Sequence, residues 1–265
     1  MKILTTFPSA GEFEKAKQAL EKVPLPHTII MPGPGFSCVG LPALVIEEED
    51  RGRLLGGGQG AFITSGWVDY HQPAQPVPNN NPPAFDEDIF GKAAIMVLQP
   101  CTADLTKLRV TAHFSGDLSQ VFPYMNALMR DAFYNQHSQT FTFMEGHRMI
   151  ALYPHRAAVA KTNDIVDTWR VLEMLRVRFN ECWLNRANIT PSNELRKRPP
   201  ALEIYYRLPK LNCGECGQKT CMAFALTLWS GNIALTKCKP VFVGMHAHLK
   251  DALVEICGGL GVKKE

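Results

Sequence analysis

The sequence predicts a mixed α/β and α+β chain: two small sheet-and-helix units followed by a small, mainly helical domain that carries a group of cysteines. Three observations predict it. Short β-rich apolar runs alternate with helical periodicity over residues 1 to 55 and again over 89 to 190. A stretch crowded with Gly, Pro and Asn, residues 56 to 88, separates those two units. Four of the eight cysteines then fall between residues 213 and 238, inside a third region at 200 to 265.

The totals set the bounds. A chain of 265 residues that is 46% hydrophobic holds one large core or a few small ones. Its net charge of +3 makes no electrostatic case for a nucleic-acid partner. The N-terminal "MKILTTFPSAGEFEKAKQAL" lacks an apolar run of signal-peptide length, and no stretch approaches the roughly 20 apolar residues that cross a bilayer. The expectation is a cytoplasmic protein without a membrane partner. In that reducing setting, grouped cysteines point to a metal site or redox chemistry rather than to disulfides.

In the first unit "KILTTF" reads as a strand. "AGEFEKAKQALEKV" follows as a helix with Phe13, Ala16, Leu20 and Val23 at helical spacing, and "HTIIM" and "PALVIEE" are strands on either side of "PGPGFSCVG". The Gly-rich "GGGQG" at 56 to 60 lacks the spacing of a phosphate loop or a dinucleotide fingerprint and reads as a hinge. Residues 69 to 88 read as an extended linker.

The second unit opens with the strand "KAAIMVLQPC" and the alternating "KLRVTAHFSGD". "LSQVFPYMNALMRDAF" reads as a helix with Val121, Tyr124, Met125 and Leu128 on one side. "QTFTFMEGHRMIALYPHRAAVAKT" reads as a hairpin turning at Glu145-Gly146. A long helix follows behind an Asn163 or Asp164 cap, with Ile165, Trp169, Leu172, Leu175, Phe179 and Cys182 inward and its arginines mostly in solvent. "TPSNELRKRPP" makes a second break, and no internal repeat is present.

In "LNCGECGQKTCMAFALTLWSGNIALTKCKP" the cysteines are spaced C-x2-C-x4-C-x16-C. The glycines of "CGECG" let the backbone bend, so Cys213, Cys216 and Cys221 come from one loop, and the helix "MAFALTLWSGN" returns the chain to Cys238. Phe224, Ala225 and Leu228 pack that helix, and Gly231 ends it. Four thiolates suit zinc or an iron–sulfur cluster. Structural zinc sites usually pair two similar knuckles, whereas here three ligands share a loop and the fourth stands alone, an asymmetry that favours a [4Fe–4S] cluster. The terminal "VFVGMHAHLKDALVEICGGLG" is expected to roof the site as one helix with an apolar stripe of Phe242, Met245, Leu249 and Leu253.

The segment resembles the small [4Fe–4S] domain of the corrinoid-carrying large subunit of acetyl-CoA decarbonylase/synthase and of the B subunit of Rnf-type electron-transport complexes. Their pattern is C-G-x-C-G-x-x-x-C, a helix, and a final C-P. Cys213, Cys216, Cys221 and Cys238 fall on the cluster ligands and Gly214 and Gly217 on the glycines, while Pro240 comes one residue late, after Lys239. The resemblance implies a one-electron centre working near a partner cofactor or redox protein. It does not extend to corrinoid binding, because no D-x-H-x-x-G motif is present. The first unit, "FPSAGEFEKAKQALEK" with "TIIMPGPGFSCVGLPALVIE", is similar to selenium/sulfur-carrier-like proteins. The middle unit looks like the central region of iron–sulfur proteins of anaerobes that join these same parts.

Other candidates are weighed individually. Cys38, in the loop "GPGFSCVG", is either a reachable thiol for sulfur or metal transfer or a half-buried loop cysteine. Cys101 ends a strand, and Cys182 and Cys257 lie on apolar helical faces as core residues. His246 and His248 are two apart and would face differently on a helix, which argues against joint ligation. Asp117 and Glu145 are the nearest thing to a carboxylate pair, and no Ser-His-Asp or acid/base set is legible. The expected role is an electron-transfer or accessory protein of anaerobic metabolism that transfers electrons or senses redox state for a protein partner, a metalloenzyme. The alternative is metallocentre maturation or sulfur transfer through Cys38, and a homodimer stays open.

Overall fold

The computed structural model describes residues 1–56, 62–129, 131–195 and 200–258. The hinge expected at "GGGQG" therefore lies, past Gly56, outside the described residues, as do 196–199 of "ELRKRPP" and the tail beyond 258. In chain order the elements begin β1 (Lys2–Thr5), α1 (Ala10–Lys22), β2 (His27–Ile30), β3 (Ala43–Glu47), α2 (Arg51–Gly56) and β4 (Trp67–Asp69). Next come β5 (Ala93–Cys101), β6 (Asp104–Phe114), α3 (Phe122–Leu128), β7 (Phe133–Asn135), β8 (Thr140–Glu145), β9 (Arg148–Tyr153) and β10 (Arg156–Thr162). The last are α4 (Ile165–Leu184), α5 (Ala201–Tyr206), α6 (Cys221–Trp229), α7 (Lys239–Phe242) and α8 (Lys250–Gly258). The mixture of sheets and helices, with a helical C-terminal region, is the expected fold class. No helix among the described residues is long and apolar enough to cross a membrane.

The chain divides into two compact units, 1–121 with 152–187 and 122–151 with 188–265. In the first, β2-β3-β1-β4 form an antiparallel sheet in that order. Alternation sends Ile3, Leu44 and Ile46 to the side where α1 places Phe13, Ala16 and Leu20. Leu4 and Val45, on the other side, are buried too, so both faces are covered and "ALVIE" reads as an unbroken apolar run. Ser9 caps α1 by accepting the Glu12 N–H at 3.3 Å. The three-residue β4, too short to show a pattern, was not anticipated. Strands β5, β6 and β10 pair antiparallel in that order, with irregularities at Ile95/Val97 and at Ala160/Thr162, where Lys161 has φ 65°.

Helix α4 is capped by Asp164, whose carboxylate accepts the Asp167 N–H at 2.9 Å. All six residues expected to face inward are buried. Burying each large one stabilises the unit by about 1.5–3 kcal/mol. Cys101 and Cys182 are core residues, and burial pushes the Cys182 thiol up to about 11.

The expectation of solvated arginines fails at Arg176, whose side chain is 1% exposed. It donates to Asp88 (2.8 Å), to both Glu173 oxygens (3.0 and 2.8 Å) and to the Pro83 carbonyl (2.7 Å), with the Phe85 ring 5.1 Å from its guanidinium carbon. Hydrogen bonds to Glu173 raise its pKa further against the opposing effect of burial, and the Glu173 charge and the hydrogen bond to Asp88 add to the rise. The reason is the segment read as a linker: it lies along α4, where Arg170 donates to Pro76 O, Asn180 accepts from Ile89 N and donates to Asp88, and Trp183 donates to Glu87. Pro-rich backbone without ladder partners is thus tied down by side chains of the helix.

In the second unit β7 pairs antiparallel with β8, β9 lies next to β8 in the sheet, and Gly146, φ 60°, makes the β8–β9 turn at the expected place. The single hairpin arm expected from 148 to 162 is instead two strands, because "YPHR" breaks it and Pro154 has no N–H for a ladder. Helix α3 starts only at Phe122. Its buried residues are Phe122, Met125 and Asn126, while Leu128 is exposed, so the apolar face is rotated from the expected one. The Asn126 amide turns inward to donate to the carbonyls of Ser192 and Glu194.

A C-terminal core joins Ile204 and Leu208 with Phe224, Ala225, Leu228, Leu235, Cys238, Val241, Leu253 and Cys257. Cys257 is core as expected, its thiol pushed up to about 12 by burial. The continuous terminal helix is not found: α7 stops at Phe242, the chain turns back with His246 N–H on Pro240 O (3.0 Å), and Met245 is 93% exposed. A Cβ on Gly244 would lie 2.9 Å from Pro240 Cα, which shows how closely this turn folds. Helix α6 ends at Gly231, φ 73°, where a Cβ would meet the Gly146 carbonyl oxygen at 2.4 Å.

Two outcomes follow from this packing. Arg176→Met is expected to destabilise the first unit by about 3 kcal/mol in urea unfolding, because it leaves Asp88 and Glu173 partly buried without their cation. Asp88 itself is pushed up by burial but brought below its ordinary 3.8 by hydrogen bonds from Gly91, Asn180 and Arg176. Its contribution is therefore present above pH 3.8 and lost as the pH falls through the lower folded value, and Asp88→Asn should flatten that acid limb. Gly231→Ala should cost about 1–3 kcal/mol, read as an earlier thermal transition, since both the positive φ and the space are unavailable to alanine.

Candidate metal centre

The loop after Leu208 is built from left-handed residues. Lys210, Asn212, Gly214 and Gly217 have φ of 59°, 51°, 76° and 83°. Added Cβ atoms at Gly214 and Gly217 would meet nothing within 4 Å, so glycine is needed here for its φ and not for room. The Gly217 N–H donates to Gly214 O at 2.9 Å, turning the chain through Glu215 and Cys216. Left-handed residues interspersed with ordinary ones aim successive N–H groups to one side, a concavity suited to anions.

Two side chains hold this loop to the helix behind it. Asn212 Oδ1 accepts the Cys221 N–H at 2.8 Å, and Thr220 Oγ1 accepts the Ala223 N–H at 3.0 Å as the N-cap of α6. Cys221 is thus the first residue of a helix, where the dipole favours a thiolate. Cys238 arrives from the other direction. Gly231 ends α6, the 3-10 turn Leu235–Lys237 follows, and the Cys238 carbonyl accepts the Val241 N–H at 3.0 Å as α7 begins.

The four cysteines line one small pocket, together with Asn212, Gly214, Thr220, Phe224 and Pro240. Their exposure is graded: Cys213 is exposed, Cys216 and Cys221 are half-buried, and Cys238 is buried in the C-terminal core. Burial, followed by the charges of Cys221, Cys216 and Cys213, pushes the Cys238 thiol up to about 11 against the Val241 N–H. Among the described residues no group of three or more His, Cys, Asp or Glu is placed to hold one metal ion. A single tetrahedral zinc with Zn–S bonds near 2.3 Å needs its sulfurs within about 3.8 Å of one another, whereas a polynuclear cluster takes one thiolate per iron and spreads them apart. The donor set, four thiols around a pocket with an apolar wall at Phe224, suits a metal centre held by thiolates.

The other candidates are not drawn into this pocket. Cys38 is half-buried in the turn after the 3-10 turn Pro34–Phe36 and belongs to the first unit; its carbonyl accepts the Ala93 N–H at 2.8 Å. His246 precedes, and His248 lies within, the short 3-10 turn Ala247–Leu249, with rings 5.9 Å apart and tilted 47°. Asp117 lies 4.0 Å from His155 in the first unit, and Glu145 belongs to the second. Asn212 and Thr220 were missed from the sequence. Thr220 carried a signal, a hydroxyl residue just before an apolar helical run; Asn212 carried none, because its partner lies nine residues on.

Comparison with known proteins bears on this same segment. Residues 208–240 match the family described as "Putative Fe-S cluster". The chain is similar to the corrinoid/iron-sulfur protein large subunit of Moorella thermoacetica, 62% identical over 37 residues, which is 14% of this chain and 8% of that protein. It is also similar to acetyl-CoA decarbonylase/synthase complex subunit gamma 2 of Methanosarcina mazei and subunit gamma of Archaeoglobus fulgidus, 58% and 48% identical over 40 residues, 15% of this chain and 8% of each. The chain thus spans about a twelfth of the length of these relatives. No solved structure matches it. What the chain shares with these proteins is an iron–sulfur cluster domain, and the shared part is the segment that lines the pocket.

Proposed function

We propose that Cys213, Cys216, Cys221 and Cys238 hold a [4Fe–4S] cluster, and that the protein transfers electrons for, or senses redox state on behalf of, a partner metalloenzyme in the cytoplasm of an anaerobe. The observation that carries this is the meeting of four thiols, the first and last 25 positions apart in sequence, at one pocket within the segment that matches iron–sulfur proteins. When bound, such a cluster supplies a one-electron couple. The chain's own residues do the rest. The left-handed positions of the loop at 210–217 bend the backbone around the cysteines, and any loop N–H that reaches a cluster sulfur would raise the cluster's potential. Phe224 and the core around Cys238 keep water from one side, while exposed Cys213 leaves the other side near the surface, within reach of a partner. On this reading residues 200–265 are the cluster domain, 1–55 and 89–190 are docking units, and the relatives named as complex subunits support a protein partner.

Protein purified without oxygen should be brown, contain about four irons and four sulfides per chain, and bleach with dithionite. One zinc and no iron would end the proposal. Cys216→Ala is expected to bring iron below about one per chain and to loosen the C-terminal helices in hydrogen exchange, because thiolate–metal bonds contribute folding energy to so small a core. Full iron retention would contradict the ligand set. Cys38→Ser should leave both the iron content and the partner's activity unchanged. A loss of partner activation with the cluster intact would favour the second role, sulfur or metal transfer through this half-buried thiol.

A further inference from the structure

The pocket mouth carries a charge pattern that the ligand set does not require. Over residues 209–246 the chain has four lysines, Lys210, Lys219, Lys237 and Lys239, against one acidic residue, Glu215. Each lysine is the immediate chain neighbour of a pocket-lining residue: Lys210 follows Pro209, Lys219 lies between Gln218 and Thr220, and Lys237 and Lys239 bracket Cys238. Neighbouring Cα atoms are about 3.8 Å apart, so the backbone of all four lies next to the pocket's lining. All four are exposed, and among the described residues none has a carboxylate within ion-pair distance. Lys210 is placed by the rings of Tyr205 and Tyr206, each 5.3 Å from its ammonium.

Exposed apolar side chains share this edge. Leu211 is 51% exposed in the loop. Val243 and Met245, 83% and 93% exposed, stand on the turn held against Pro240 by the Val243 N–H to Lys239 O and His246 N–H to Pro240 O bonds. The tight turn at Gly244 thus holds apolar side chains in water just after Lys239, a costly arrangement for a surface that stays free.

We infer that this face is a docking surface for an acidic protein, one that presents Asp and Glu carboxylates around an apolar patch. The inference rests on the proposed cluster only for its purpose; the surface is defined by the lysines and apolar residues themselves. Charge complementarity selects the occupant. A second copy would bring the same four cations against these four and be repelled. Nucleic acid would use the lysines but leave Leu211, Val243 and Met245 without apolar partners, whereas protein interfaces favour apolar centres with Met inside a polar rim. Opposite charge at such a rim raises the association rate and makes affinity fall with salt, because the Debye length shortens from about 10 Å at 0.1 M.

The test is calorimetric titration of the full chain with a small acidic plant-type ferredoxin, and in parallel with basic cytochrome c and a single-stranded oligonucleotide, each at about 50 mM and about 500 mM NaCl. Ferredoxin is expected to bind at low salt and about tenfold more weakly at high salt, with no binding of cytochrome c. The double variant Lys210→Glu/Lys219→Glu should bind ferredoxin about tenfold more weakly at low salt and like the parent at high salt. Salt-independent binding, no binding of ferredoxin, tighter binding of the oligonucleotide, or an unaffected double variant would overturn the inference. So would self-association that the double variant strengthens. Should the variant misfold, the salt dependence of the parent decides alone. Iron content, measured on the same samples, reads the cluster separately: iron present without docking overturns this inference only, and docking without iron overturns the cluster only.

Discussion

Bringing four thiol groups to one pocket is the constraint on which the C-terminal segment depends. Thiolates repel one another and resist burial, and Cys238, pushed up to about 11 by burial and then by its three neighbours, shows how unfavourable the arrangement is in isolation. The local structure answers each part of that cost. Positive φ at Asn212, Gly214 and Gly217 bends the loop tightly, the start of α6 places its dipole behind Cys221, and Asn212 and Thr220 lock the loop to the helix. Nothing in the packing of a segment this short would otherwise call for such a backbone.

The gradation from exposed Cys213 to buried Cys238 joins two requirements that usually conflict. A cluster held wholly in water would be labile, and one held wholly in the core would be remote from any partner. In the proposed site, anchoring Cys238 in the core with Leu228, Leu235 and Val241 while Cys213 faces out would meet both. The lysines that border the same opening then give the surface a sign.

The first unit solves a different problem, that of a long Pro- and Asn-rich segment with few ladder partners. Helix α4 supplies those partners through Arg170, Arg176, Asn180 and Trp183, so a helix that packs like any core helix on one side acts as a row of clamps on the other. Such buried charge networks are costly to break but do not by themselves imply activity. The network here is explained by what it holds.

Much of this was legible in the residues. The strand and helix pattern of 1 to 55, the cap and inward face of α4, the β8–β9 turn, and the glycine end of α6 are local features, set by periodicity and turn chemistry within a few positions. The four cysteines were legible for the same reason: spacing, glycines and a following helix are written side by side. What only the tertiary structure decided is non-local. Arg176 is buried because Asp88, 88 positions away, meets it; α3 turns Asn126 inward because residues 192 and 194 offer carbonyls; and the C-terminal helix is broken because the chain folds back on Pro240. Whether a polar group is a solvated charge or a buried clamp depends on the partner that reaches it, and periodicity carries no record of that partner.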